Sequence, residues 1–253
     1  MDLALPVSFA PMEAKTALKI PHGAGWQFEP KWDGFRCLVF RDGPELEIQS
    51  KAGQPLARYF PELVEALLAL EPQRFVIDGE LVVPIDGKLS FDALLQRIHP
   101  AASRIAKLAK ETPAQLIVFD LLVDTEGRSC VDEPLPVRRD ALEKFASTYL
   151  ASSATIHLSP ATGDLANAKL WLQKYAGGLD GIVAKRTDIP YASGSREGML
   201  KIKNLRTADC VVGGFRYGSK GGQVGSLLLG LYDNAGLLHH VGFTSGLAAV
   251  DKP

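Results

Sequence analysis

Short apolar runs of strand character constrain this chain most. Cys37 to Phe40, Leu46 to Ser50, Leu116 to Leu122, Gly181 to Lys185 and Met199 to Lys203 each span only a few residues, and Asp42-Gly43 between the first two is a hairpin signal. Phe75-Val76-Ile77 and Leu81-Val82-Val83 bracket Asp78-Gly79-Glu80. Helical character is confined to a few stretches. Pro61 can open a helix with the stripe Leu63, Val64, Leu67 and Leu68, and Leu135 to Leu150 and Leu165 to Tyr175 also read as helices. Pro6, Pro11, Pro21, Gly23 and Gly25 punctuate the start of the chain and predict an irregular arm. Strands with interspersed helices predict an α+β fold. No run nears the ~18 apolar residues of a membrane span.

The texture changes after about Thr207. Gly213-Gly214, Gly218 and Gly221-Gly222 separate short β segments such as Ser226 to Tyr232 and Leu237 to Phe243. They predict a small all-β domain over 207–253 after a larger domain over 1–206. Roughly three or four strands fit before Pro253, whereas an OB-type barrel needs about five. The expectation is an incomplete barrel in a shortened chain.

Composition removes several classes of function. The 253 residues carry 28 Lys+Arg against 29 Asp+Glu, a net charge of −1, which excludes a histone-like polycation. Any phosphate contact must come from a local patch. The stretch from Lys185 to Lys220 supplies one, with eight basic residues, three acids and a net charge of +5. Cys37, Cys130 and Cys210 are odd in number and far apart, against a disulfide framework or a four-cysteine zinc site and in keeping with a reducing cytosol. The five His lack metal-site spacing, and no P-loop occurs. The opening MDLALPVSFA has no basic segment ahead of an apolar one, so no signal peptide is expected.

Four places carry candidate chemistry. Glu29-Pro30-Lys31-Trp32-Asp33-Gly34-Phe35-Arg36 is either a solvated turn or a site where Lys31 is a covalent nucleophile and the planar fork of Arg36 takes a phosphate or a carboxylate. Alternation in Leu200-Lys201-Ile202-Lys203 puts Lys201 and Lys203 on one face, which fits an amphipathic edge strand or a phosphate-facing pair. Glu80 and Asp180 each adjoin a glycine at a strand. They are loop acids without a role, or two carboxylates that serve Mg2+ beside a triphosphate. Phe119 is a core aromatic or a ring that stacks on a purine.

Taken in order, these pieces resemble the motif series of the covalent nucleotidyltransferases, which comprise DNA ligases, RNA ligases and mRNA capping enzymes. Lys31 to Arg36 is similar to motif I (K-x-D-G-x-R), Phe119-Asp120 to motif III, Asp180 to Lys185 to motif IV and Lys201 to Lys203 to motif V. Over roughly residues 5 to 250 the chain resembles small bacterial ATP-dependent DNA ligases of the LigC and LigD type. The resemblance implies an α+β adenylation domain of antiparallel sheets flanked by helices, followed by a partial OB-type barrel. It implies that Lys31 attacks the α-phosphorus of ATP and carries AMP, that Glu29 and Phe119 hold adenine, and that Glu80 reaches the ribose or a metal. Asp180 would support Mg2+ or Mn2+, and Arg36, Lys51, Arg196, Lys201 and Lys203 would neutralise phosphate charge. Lys185 has opposite parity to Asp180 and stays outside this set. The implied partner is nicked duplex DNA, with repair or end-joining proteins beside it. The implied setting is a bacterial cytoplasm and its nucleoid, and the implied state a monomer.

Two departures from the pattern stand out. Ser50-Lys51-Ala52-Gly53 has Lys where the family usually has Arg, which keeps the charge and loses the bidentate fork. Motif VI has no counterpart. An RNA ligase or GTP-using capping enzyme would share the Lys31 chemistry, and a non-catalytic nucleic-acid-binding relative would keep the fold alone.

Overall fold

Alternation of side chains along short strands builds the first of the two units, Met1–Asn204 and Leu205–Pro253, into which this computed structural model divides. The structure describes residues 1–174, 179–204, 207–218, 222–244 and 246–247. In chain order the first unit runs β1 (Lys15–Thr16), β2 (Trp26–Lys31), β3 (Phe35–Asp42), β4 (Glu45–Ser50), α1 (Pro61–Leu68), β5 (Arg74–Val82), β6 (Pro84–Ile85), β7 (Lys88–Leu89), α2 (Phe91–Gln96), α3 (Ala102–Glu111), β8 (Gln115–Val123), α4 (Leu135–Phe145), β9 (Ile156–Leu158), α5 (Leu165–Lys174), β10 (Gly181–Arg186) and β11 (Met199–Lys203). One sheet has the order β4-β3-β5-β8-β9 and a second the order β1-β11-β10-β2. Pairing is antiparallel except where β1 and β9 join the edges.

The five-stranded sheet is apolar on both faces, and this dictates the layers. Cys37, Val39, Ile77, Leu116 and Val118 pack with Leu63 and Leu67 of α1, Leu94 of α2, and Leu142 and Phe145 of α4. Leu38, Phe40, Val76 and Leu122, of opposite parity or position, pack with Leu5 and Met12 of the arm and with Tyr191 and Met199. The four-stranded sheet turns Phe28, Ile182, Ala184 and Ile202 toward Ala168, Trp171 and Leu172 of α5. Each buried Leu or Phe contributes roughly 1.5–3 kcal/mol, so burial on both faces fixes this stacking. No helix among the described residues is long and apolar enough to cross a membrane.

Several sequence expectations change. Asp78-Gly79-Glu80 is no break: β5 runs through it, because Gly79 admits the backbone of β8, where a Cβ would lie 2.7 Å from Ile117 O. The arm is not wholly irregular, since β1 lies parallel to β11 with Thr16 opposite Lys201. The first hairpin turns through Gly43-Pro44, with Asp42 paired to Glu45. The helix expected to Leu150 is α-helical to Phe145 and π-helical over Ala146–Leu150. Tyr175, expected to end another helix, lies outside the described residues. The sequence reading had no α2 or α3. With Phe91 and Leu95 exposed, α2 shows little helical patterning, although Ser90 caps it by accepting from the Ala93 N–H at 3.2 Å.

In the second unit β12 (Val211–Tyr217), β13 (Val224–Tyr232) and β14 (Leu238–Thr244) form an antiparallel sheet in that order. Asp233 shapes the last turn, its Oδ1 accepting from the Ala235 and Leu237 N–H groups at 2.9 Å. The described residues form no closed barrel.

Candidate active site

Lys31 is placed by a change of sheet. It ends β2 in the four-stranded sheet, and the chain then enters β3 of the five-stranded one. The crossing is tight. A Cβ on Gly34 would lie 2.0 Å from Leu81 O, and Trp32 Nε1 donates to Ser159 Oγ at 3.0 Å. Lys31 stands opposite Gly181, and the Asp180 N–H donates to Lys31 O at 3.1 Å. Gly181 has φ 148°, and a Cβ there would lie 2.0 Å from Ile202 O. Glycine is required for β10 to turn and close onto β11 at this point. Asp180 Oδ2 accepts from Lys31 Nζ at 2.7 Å and from Lys203 Nζ at 3.2 Å. Burial opposes the Asp180 charge, but the two lysines outweigh it and hold the carboxyl below the usual range.

Lys31 opens on a cleft of about 200 Å³, lined also by Glu13, Glu29, Arg36, Lys51, Glu80, Phe119, Lys185 and Lys201. Glu29 and Lys185 are 2% and 4% exposed and pair at 2.8 Å through Oε2. Gln27 Nε2 donates to Glu29 Oε1 at 2.8 Å. Both Glu29 oxygens are thus fixed as acceptors. Two cations lie over the Phe119 ring, Lys185 Nζ at 4.8 Å and Arg36 Cζ at 5.3 Å from its centroid. Phe119 is half-buried and faces the cleft.

The fork of Arg36 takes a carboxylate, one of the two partners that the sequence offered it. Its Nε and Nη2 donate to Asp78 Oδ1 and Oδ2 at 3.0 and 2.7 Å. The Tyr191 hydroxyl donates to the same carboxylate. Burial disfavours the guanidinium charge, and Asp78 more than restores it. Arg36 therefore forms a wall whose charge is already matched.

Lys185 is the cleft residue that parity with Asp180 had removed. Asp180 precedes β10, and the turn at Gly181 breaks the alternation. Within β10 Lys185 shares a face with Val183, which lines the cleft. Glu13 was also missed, because the arm has no period to read. Lys203 and Arg196 stand outside the lining residues, Lys203 on Asp180 and Arg196 on Glu13.

The net +5 stretch is not a uniform cationic patch. Lys185, Arg186, Arg196 and Lys203 all hold carboxylates, and Arg206 and Lys220 lie outside the described residues. Among the described residues Lys201 is the one lining cation without an ion pair. Burial, then the charges of Lys203, Lys51, Lys31 and Arg196, push its amine below the usual lysine range. A polyanion relieves such crowding.

Burial pushes the Glu80 carboxyl up to about 7, against the opposing pull of Arg36 and Lys31. Among the described residues no three His, Cys, Asp or Glu side chains gather as a ligand set. Asp180 contacts the Lys31 amine directly, and the Lys31 charge favours the ionised form of Glu80. Two carboxylates suit a magnesium or manganese ion completed by nucleotide phosphates, not a cage made of protein alone.

Residues 5–203 match the family described as ATP dependent DNA ligase domain. The chain is 50% identical over 249 residues to DNA ligase C2 of Mycolicibacterium smegmatis, covering 96% of this chain and 67% of that protein. It is 47% identical over 259 residues to DNA ligase C of Mycobacterium tuberculosis, covering 100% of this chain and 70% of that one. Among solved structures it resembles mycobacterial DNA ligase D complexed with ATP and MES, with a TM-score of 0.61 at 27% identity over 97% of this chain and 75% of the other. The family match spans all but the ends of the unit that carries the cleft, and the chain belongs to the ATP-dependent DNA ligases.

Proposed function

We propose that this chain seals nicks in duplex DNA through AMP carried on Lys31. The observation that carries the reading is the Lys31 amine anchored on Asp180 in a cleft that also holds an acceptor carboxylate, an aromatic face and an unpaired lysine. The deprotonated Lys31 Nζ attacks the α-phosphorus of ATP. A P–N bond forms as the P–O bond to pyrophosphate breaks. AMP then passes to the 5′-phosphate of the nick, and the 3′-hydroxyl displaces it to make the phosphodiester. Positioning and charge neutralisation supply most of the acceleration in such transfers.

In this reading Glu29, fixed as an acceptor, meets the amino edge of adenine, and Phe119 stacks on the base. Glu80 takes the ribose. Lys51, Arg196, Lys201 and Lys203 take phosphate charge, with Arg36 bracing the wall. Glu80 and Asp180 would hold magnesium or manganese, which neutralises phosphate charge when bound. Residues 1–206 form the adenylation domain and 207–253 part of an OB-type domain. The protein works as a monomer in DNA repair, in the cytoplasm on nucleoid DNA.

Intact-protein mass tests this. With ATP and magnesium the chain should gain one AMP, and Lys31→Ala should gain none. The charged protein should join a nick bearing a 5′-phosphate and not one bearing a 5′-hydroxyl. A chain that gains no AMP under any condition overturns the reading, and labelling by GTP in place of ATP moves it to a capping-type enzyme.

A further inference from the structure

Glu13 is the one cleft carboxylate with no part in the proposed chemistry. Its Oε2 accepts from Lys51 Nζ at 2.9 Å and from Arg196 Nε at 3.1 Å. Backbone contacts fix its position. The Glu13 N–H donates to Ser195 O at 2.7 Å, the Met12 N–H to the Tyr191 hydroxyl at 3.0 Å, and β1 follows at once, paired to β11 beside Lys201. The two cations hold the Glu13 carboxyl below its usual range.

One oxygen bridging an ammonium and a guanidinium is the arrangement a phosphate oxygen imposes. Among the described residues Lys51 and Arg196 have no other carboxylate partner. Their side chains are 51% and 71% exposed, so a ligand reaches them. A phosphoryl group that takes these cations must do so beside a carboxylate of its own sign, or push that carboxylate away.

We propose that Glu13 is a resident counter-ion that competes with a phosphoryl group for Lys51 and Arg196 and so sets how tightly this rim of the cleft holds phosphate. The inference rests on the nucleotide and nick reading for its ligand. That ligand is a phosphoryl group with two sources, the polyphosphate of ATP and the 5′-phosphate of a nick. In the empty site Glu13 keeps both cations ordered. When a phosphate departs, the carboxylate returns to them, which favours release.

Equilibrium binding to the wild-type chain and to Glu13→Gln tests this, since Gln keeps the shape and removes the charge. One arm compares inorganic pyrophosphate and ATP with adenosine. The other compares nicked duplexes carrying a 5′-phosphate or a 5′-hydroxyl. Exposed ion pairs are weak, so the expected gain is about three- to tenfold for the phosphate-bearing probes of at least one arm. Adenosine and the 5′-hydroxyl nick should not gain. The responding arm identifies the source. Adding Lys51→Ala to Glu13→Gln should abolish the gain. A tighter complex cannot arise from misfolding. No gain for any phosphate-bearing probe, or an equal gain for its phosphate-free counterpart, overturns the inference. The pyrophosphate arm reads Glu13 whether or not Lys31 accepts AMP, so failure here is distinguishable from failure of the proposed function.

Discussion

Asp180 meets the Lys31 amine at 2.7 Å from the residue just before β10, where its backbone N–H also holds the Lys31 carbonyl. Side chain and main chain of the proposed nucleophile are thus fixed by one residue. The same oxygen holds Lys203, so the anchor also spaces two like charges.

Asp180→Asn keeps the volume and removes the anchor. Single-turnover formation of lysyl–AMP should fall roughly 10- to 100-fold, the scale of a small misplacement at a reacting centre. ATP affinity should change much less. Equal losses in rate and affinity would show that Asp180 serves binding and not orientation.

Gly181→Ala should damage fold and chemistry together. The new Cβ meets Ile202 O at 2.0 Å in a backbone conformation that L residues rarely adopt. Strain of this kind costs on the order of 1–3 kcal/mol before any clash. Gly163→Ala, with nothing within 4 Å, is the control. Denaturant midpoints and AMP incorporation check both variants, and similar behaviour of the two would contradict the close approach.

Glu80 should make stability fall with pH. Its folded value of about 7 lies above the ordinary carboxylate value of 4.5, so between those limits the folded state keeps a proton that the unfolded chain has lost. Stability is therefore highest below about pH 4.5 with respect to this group and falls as pH rises toward 7. Glu80→Gln removes the effect. Its stability relative to wild type should rise by roughly 2–3 kcal/mol between pH 4 and pH 8. Urea titrations across that range measure it, and a difference independent of pH would count against a buried carboxyl. AMP transfer should be lost in the same variant.

Lys185→Met strands Glu29 as a buried, unpaired carboxylate. The loss should be about 3–5 kcal/mol. Adding Glu29→Gln should recover much of it, because the second change removes the stranded charge. Denaturation of the two singles and the double completes a cycle. Purely additive losses would mean that the pair is not coupled.

Much of the fold was legible because its strands are short apolar runs. β8 is a continuous apolar run broken by Asp120, β11 alternates through Leu200-Lys201-Ile202-Lys203, and the helix at Pro61 has both its opening residue and its stripe. Lys31, Glu29, Lys51, Glu80, Phe119 and Lys201, far apart in sequence, stand in one cleft. Pairings across long separations were not legible. Nothing local marks Asp78 as the partner of Arg36, or Glu13 as the partner of Lys51. Lys185 was lost to a parity rule applied across a turn that breaks it. α2 escaped because its exposed Phe91 and Leu95 blur the apolar face that defines an amphipathic helix.

Lys31 closes one sheet just before the chain enters the other, and Gly34 leaves no slack at the crossing. The Lys31 amine therefore stands at the joint of two sheets that share a core, and its place is set by the fit of both sheets and not by its own strand alone.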